Sequence, residues 1–523
     1  MSESQRETWR VSKPAVYSER GVVTSQHAKA SAIGAAVLRN GGNAVDAAVA
    51  TGFALGVLEP WMSGIGGCGC LLVYLAAPDE WHAVDFGVRA STALDPADYP
   101  LREGVGPDLF QWQSVLDDRN VSGPYSVAVP GHVAGLATAL DRFGTRPFAE
   151  LMAPAIELAD AGLAVDWFAS LKIASAAPVL SRYAESERVY LPGGFAPVGE
   201  WGGPAPVLPY GLLSQTLRRL AEAGARDFYE GEIATRILGD ANALGIRLTP
   251  GDLSSYDARV VPIETFTYRD ATLGMAPGLT AGPTFRDALG RLEQRCSAAR
   301  SSVPNVDYVT AYAEVLTAAY ARRLATLGDH DDSRAPACTS HISVADRDGN
   351  LVALTQTLLS IFGSKVVLPQ TGILMNNGVM WFDPRPGQAN SMEPGKRPLS
   401  NMCPALIRRA DGSRFALGAS GGRRIMPAVL QLASGLIDFG VPVDHVLDVP
   451  RIDVSGSSRL AVDDRFDGSI ISALRESFDI DVVQNQVYPN YFACPNVVGY
   501  DPTARRTTGA AFTLSPWAGA CAE

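Results

Sequence analysis

The chain has 523 residues, 47% apolar and 19% charged; that supplies a large core, excludes global disorder and amounts to about three to four average domains. Its formal charge of −11 is offset by no Lys/Arg-rich block, which argues against nucleic acid or an anionic membrane as the main partner. The opening MSESQRETWRVSKPAVYS lacks the apolar core of a signal peptide, and the longest apolar stretch, near residues 47–58, falls short of the ~18 residues of a membrane span, so the expectation is a soluble, cytoplasmic protein.

In chain order, the Ala-rich segment 28–38 predicts a helix ending at Gly41-Gly42. Asn43 then reads as the N-cap of a second helix, AVDAAVATGFALGVL. A Gly-rich turn, SGIGGCGC, leads into a predicted strand, LLVYLAA. Residues 192–211 hold five Pro and six Gly, the composition of a surface loop or insertion. Residues 213–241 and 306–327 carry helical patterns, and the second ends in a polar loop, GDHDDSRAPAC. HISVADRDGNLVALTQTL alternates apolar and polar residues on both sides of Asp348-Gly349-Asn350, which predicts a hairpin. Residues 414–438 read as strand, Gly turn and helix. Helices mix with an antiparallel strand pair, so the fold class is α+β.

Seven Cys lie scattered without a CxxC pair, and no P-loop, HExxH, EF-hand loop or strand-to-helix GxGxxG is present, so neither a metal nor a cofactor is expected. Gly418-Ala419-Ser420-Gly421-Gly422 matches GxSxG in a strand-to-helix setting. The triad partners would be His445, only 25 residues downstream, with Asp438 or Asp444, a cramped spacing for a hydrolase of that type. A Gly turn whose N–H groups bind an anion is the better reading. Thr339, between Cys338 and Ser340, reads by pattern as an ordinary strand residue. Freed as an N-terminus, it would carry a hydroxyl beside an α-amine of pKa near 8, able to accept the hydroxyl proton at neutral pH.

A set of blocks through nearly the whole chain resembles the γ-glutamyltranspeptidase family of N-terminal-nucleophile hydrolases. They are GGNAVDAAVATGFALGVLEP (41–60), SGIGG (63–67), VAVPG (127–131), FYEG (228–231), TPGDLSSY (249–256), TSHISVADRDGN (339–350), TGILMNN (371–377), PGKRPLSNMCP (394–404) and SGGRRI (420–425). The resemblance implies a four-layer αββα sandwich made as a precursor that cuts itself between Cys338 and Thr339. Residues 1–338 would form a large subunit and 339–523 a small one, intertwined in one domain, with a dimer of such pairs left open. Thr339 would be the nucleophile and its amine the base. Thr357 matches the second threonine, and Gly421 and Gly422 match the oxyanion pair.

The likeness fails where the family grips its amino acid. The Arg expected directly after Asp85-Phe86 comes only at Arg89, and the Asn expected after the second threonine is Leu359. The Gln and the ammonium-binding Asp are replaced by Gly378 and Trp381, the paired Ser by Ser400-Asn401, and the Ser after the Gly pair by Arg423. Loss of a buried carboxylate would leave a bound ammonium unpaired, so the pocket reads as having lost its ammonium site. Ser400 and Asn401 keep donors for a carboxylate. Arg89 and Arg423 offer bidentate charge, with structural ion pairs as the alternative. The profile looks like the oxamate amidohydrolase branch, which acts in purine-nitrogen breakdown. A glutaryl-type cephalosporin acylase, a γ-glutamyl hydrolase or transpeptidase, and an uncleaved binding protein stay open. The partner in the first three is a small-molecule substrate.

Overall fold

The computed structural model describes residues 11–106, 112–263, 265–297, 303–327, 338–455, 459–488 and 490–523. Most of the polar loop before Cys338, and the first ten residues, lie outside this set.

Two seven-stranded antiparallel sheets form the centre. One runs, edge to edge, Gly519–Ala522, Gly21–Ser25, Cys338–Asp346, Leu351–Leu359, Cys68–Leu75, Glu80–Phe86 and Arg259–Pro262. The other runs Val16–Ser18, Arg506–Ala511, Cys494–Asp501, Arg414–Ser420, Ala405–Arg409, Ala271–Met275 and Thr265–Tyr268. Strands from before and after residue 338 share both sheets.

Three apolar layers hold the fold together. Helices at 28–39, 44–58, 132–143, 148–161 and 213–223 cover the outer face of the first sheet, where Leu38, Val49, Val133, Leu151 and Leu217 meet Leu71, Ile342, Val352 and Leu354. Helices at 282–295, 306–327 and 425–437 cover the second, burying Phe285, Leu316 and Leu430 on Ile407, Leu417 and Val497. Between the sheets, Leu72, Ala353, Leu406, Ala416 and Val498 interdigitate. This is the αββα sandwich.

The predicted helices form as Ala28–Arg39 and Ala44–Leu58. Asn43 caps the second, its side chain accepting from Val45 and Asp46 while the Asp46 carboxylate accepts from the Asn43 N–H. That helix is buried nearly all round, which its Ala content permits by letting neighbours approach closely. The predicted strand starts three residues early, as Cys68–Leu75. The pattern over 213–241 breaks into Leu213–Ala223, Asp227–Glu230 and Glu232–Leu244. The first break follows Gly224, which takes φ +84° and cannot continue a helix.

The hairpin forms as Cys338–Asp346 against Leu351–Leu359. Its alternation does not separate core from solvent, because every residue of Leu351–Leu359 is buried. The polar face meets the opposing sheet. There His341 bonds Thr355 Oγ1 at 2.9 Å and Ser343 Oγ at 3.0 Å, and Ser343 and Thr24 both donate to Asn496 Oδ1. Among the described residues no helix is long and apolar enough to cross a membrane.

Candidate active site

The hairpin places two hydroxyls side by side. His341 pairs with Thr355 and Ser340 with Gln356, but Cys338 pairs with Leu359. Thr357 and Leu358 therefore stand opposite the single residue Thr339, a β-bulge of the kind that re-aims side chains near active sites. Thr339 is 3% exposed, and its hydroxyl donates to Thr357 Oγ1 at 3.4 Å. Thr357 Oγ1 also accepts the Leu359 N–H at 2.8 Å, which fixes its rotamer. Leu359 holds φ +83°, a conformation that costs about 1–2 kcal/mol for a non-glycine residue and ends the strand there.

The SGIGG turn supports this strand from behind. A Cβ on Gly67 would lie 2.4 Å from the Thr357 carbonyl oxygen, so only glycine allows the approach. Asn376 Nδ2 donates to Gly66 O and Ala128 O, while its Oδ1 accepts from Ala128 and Gly378. Asn377 donates to Ser360 Oγ and Val121 O. The paired Asn of TGILMNN thus act as buried cross-braces between the SGIGG turn, the VAVPG segment and the loop after Thr357. The sequence singled out that block without indicating this use.

Gly421 follows the strand Arg414–Ser420 with φ +138°, and Gly422 takes φ +59°. His341 packs on Gly418, where a Cβ would lie 2.3 Å from its ring. Gln26 ties the two sheets at this end, accepting from the His341 N–H and donating to the Cys494 carbonyl, which Ser420 Oγ also faces at 3.5 Å. Ser420 is occupied in this bracing and has no His hydrogen-bond partner among the described residues. Burial lowers the His341 pKa to about 3 and that of His132 to about 4, so both rings stay neutral and neither serves as a base near pH 7.

Glu59 was not legible as a site residue. It ends the helix Ala44–Leu58, is buried, and accepts from Ser340 Oγ at 3.3 Å. Burial raises its pKa to about 8, against the Ser340 hydrogen bond and the Lys172 charge, which lower it. The folded chain keeps this proton at pH values where the unfolded chain has released it. Stability should therefore fall as pH rises from about 4.5 to about 8 and level off above. Wild type should lose thermal stability relative to Glu59→Gln across that range; a pH-independent difference between the two would contradict the buried carboxyl.

A cavity of about 600 Å³ opens here, lined by Glu59, Ser420 and Gly421 together with Trp61, Phe168, Lys172, Lys365 and Arg424 among others. Arg89, Leu359, Trp381, Ser400, Asn401 and Arg423 are not among the described residues that line this cavity. Leu359 and Trp381, 1% and 3% exposed, pack with Leu399 and Met402 between the sheets. Ser400 and Asn401, between Leu399 and Met402, are buried too. Ser400 Oγ accepts from Met402 and its carbonyl accepts from Arg323, whereas Asn401 Nδ2 is a buried donor with no partner among the described residues. Arg89 donates to Asp252 O and Ser255 Oγ beside Tyr256, and Arg397 pairs with Asp85 at 3.1 Å. Arg423 lies over the Tyr320 ring. The structure thus brings Thr339 and Thr357 together and sets Leu359 and Trp381 in the apolar layer that Leu399 and Met402, on either side of Ser400-Asn401, also enter, while the hydrogen bonds of Arg89 face the segment 249–256. Among the described residues no cluster of His, Cys, Asp and Glu could hold a metal ion.

The family model for gamma-glutamyltranspeptidase matches residues 30–338 and 332–491. A glutathione hydrolase proenzyme of Bacillus subtilis (strain 168) is 30% identical over 514 residues, covering 87% of this chain and 84% of its own. Acylase ACY 1 proenzyme of Pseudomonas sp. (strain V22) is 34% identical over 502 residues, covering 88% and 87%. Among solved structures, a cephalosporin acylase from Bacillus halodurans superposes with a TM-score of 0.86 at 25% identity, covering 100% of this chain and 99% of that one.

Proposed function

The chain belongs to the γ-glutamyltranspeptidase family and is an amide-bond hydrolase of it, and from that premise we propose a self-processing enzyme that hydrolyses amides of a short acid bearing a carboxylate but no α-ammonium. In the precursor, Thr339 Oγ adds to the Cys338 carbonyl carbon. The Cys338–Thr339 C–N bond breaks, an ester forms, and water hydrolyses it, leaving a free amine on Thr339. That the relatives above are named proenzymes supports this step.

In the mature enzyme the amine accepts the Thr339 hydroxyl proton as Oγ adds to the substrate carbonyl. The oxyanion faces the Gly421 and Gly422 N–H groups. Collapse expels the amine with that proton, and water then releases the acid from the acyl ester. Thr357, pinned by the Leu359 N–H, holds the nucleophile's rotamer. The observation that carries this reading is the buried Thr339–Thr357 hydroxyl pair at 3.4 Å.

We infer the acyl preference from the residues that stand where the family grips its amino acid. Gly378 and Trp381 supply no carboxylate for an ammonium, whereas the unpartnered Asn401 Nδ2 suits an oxygen acceptor. Oxamate, hydrolysed to oxalate and ammonia, is the simplest such substrate. The cavity of about 600 Å³ favours a second reading, a larger glutaryl-type amide. Ammonia release from oxamate and aniline release from a glutaryl anilide should each exceed cleavage of a γ-glutamyl anilide by about tenfold or more. Robust γ-glutamyl cleavage with neither of the others turned over would reject the acyl assignment.

A further inference from the structure

A buried cation that the reaction above does not use is tied to the chain beneath the Gly421 turn. Arg451 leads into the strand Ile452–Asp453 and is 2% exposed. Its guanidinium carbon lies 5.0 Å from the Phe512 ring centroid and 6.0 Å from that of Phe492. Nη2 donates to the Ala493 carbonyl at 3.2 Å, while Nε and Nη1 have no partner among the described residues. The neighbouring carboxylates are engaged elsewhere, Asp463 with Arg465 at 2.6 Å and Asp453 with Ser455 Oγ at 2.9 Å. Burial lowers the Arg451 pKa to about 10, so the side chain still carries its charge near pH 7. A buried cation without a carboxylate partner costs stability, and donors left unmet in a folded interior call for a reason other than stability.

The one hydrogen bond that Arg451 makes leads to the oxyanion turn. A Cβ on Gly421 would lie 3.0 Å from the Ala493 Cα, so the Ala493 backbone rests directly on that glycine. Cys494, the next residue, pairs in register with Ser420, and its carbonyl accepts from Gln26. Arg424 donates to the Asn490 carbonyl. The segment 490–494 is thus a clamp on the turn, held by Gln26, Arg424 and Arg451 from three distant parts of the chain.

We propose that Arg451 is a positioning residue for the oxyanion turn: it fixes the Ala493 peptide on which Gly421 rests and places a positive charge in the dry interior near the N–H groups that receive the oxyanion. The inference rests on the proposed reaction, in which Gly421 and Gly422 supply those groups. A charge held in a site of low dielectric favours the developing oxyanion more than it would in water, which is the return for leaving the guanidinium unpaired.

Arg451→Met keeps the bulk and removes the charge and the donor, whereas Arg451→Lys keeps the charge. Loss of a buried, unpaired charge offsets the lost hydrogen bond, so Arg451→Met should hold the wild-type thermal midpoint or exceed it. Its kcat should fall about tenfold or more with KM within about twofold, and Arg451→Lys should recover most of that loss. Hydrogen–deuterium exchange of the full chain reads the turn itself. Exchange over residues 418–425 should rise about tenfold or more in Arg451→Met, with the strands Cys338–Asp346 and Leu351–Leu359 unchanged. Wild-type kcat and wild-type exchange in Arg451→Met overturn the proposal, as does a lower thermal midpoint with exchange raised throughout the chain. A kcat unchanged in Arg451→Met but lost in Gly421→Ala rejects the positioning role alone. The exchange needs no turnover, so a loosened turn in Arg451→Met, with no amide hydrolysed by the wild type, supports the hold of Arg451 on this turn while rejecting the amidohydrolase reading.

Discussion

Thr339→Ala should yield a full-length chain that is never cut and hydrolyses no amide, with activity reduced by about 10³-fold or more. One hydroxyl performs both steps of the proposed chemistry, attack on the Cys338 carbonyl and attack on the substrate. The methyl that replaces it fits a site that is already 97% buried, so folding should survive. Thr339→Ser keeps the oxygen and should still be cut, because the Thr357 hydroxyl that orients it is unchanged. A denaturing gel and an anilide assay on the same preparations check both. Processing of Thr339→Ala at the wild-type rate would remove Thr339 from the mechanism.

Gly421→Ala should be the next most damaging change. At φ +138° the backbone lies in a region essentially reserved for glycine. An added Cβ would also meet the Ala493 Cα at 3.0 Å and its Cβ at 3.1 Å. The peptide must rotate to relieve both, which turns its N–H away from the oxyanion of the proposed mechanism. Loss of one such donor lowers kcat by about 10²–10³. The cut at Thr339 and the thermal midpoint, recorded beside kcat, distinguish a displaced donor from general unfolding. A Gly421→Ala enzyme with wild-type kcat would place the oxyanion elsewhere.

Local signals carried much of the fold. The Asn43 cap, the helix at 44–58 and the Asp348-Gly349 hairpin each depend on neighbours within a few residues, and each forms as the sequence implies. The destination of the hairpin's polar face was not legible, because periodicity says which residues share a face and not what covers it. The alternation of His341, Ser343 and Thr355 with apolar neighbours marks the hairpin, and these polar side chains sit buried between two sheets. The continuous helical pattern at 213–241 hid breaks at Gly224 and Gly231, where glycine conformation overrides the apolar period.

The site divides the same way. Thr339, Thr357 and the Gly pair were readable through a block resemblance, and the hydroxyl pair is found in contact. Glu59 was invisible because its neighbour Ser340 is 281 positions away, a separation that no spacing pattern reports. The braces made by Asn376 and Asn377 join segments equally remote in sequence. Arg89 looked like a replacement carboxylate clamp on sequence position alone. Its hydrogen bonds to Asp252 and Ser255 hold it against the segment 249–256, while its Nε and Asn401 Nδ2 are both among the buried donors with no partner among the described residues.

Intact-mass and N-terminal analysis of purified, turnover-competent protein tests the central chemistry most directly. Two polypeptides should be found, one of them beginning at Thr339 with an unblocked amine. Full activity in material whose Cys338–Thr339 bond is intact would contradict it.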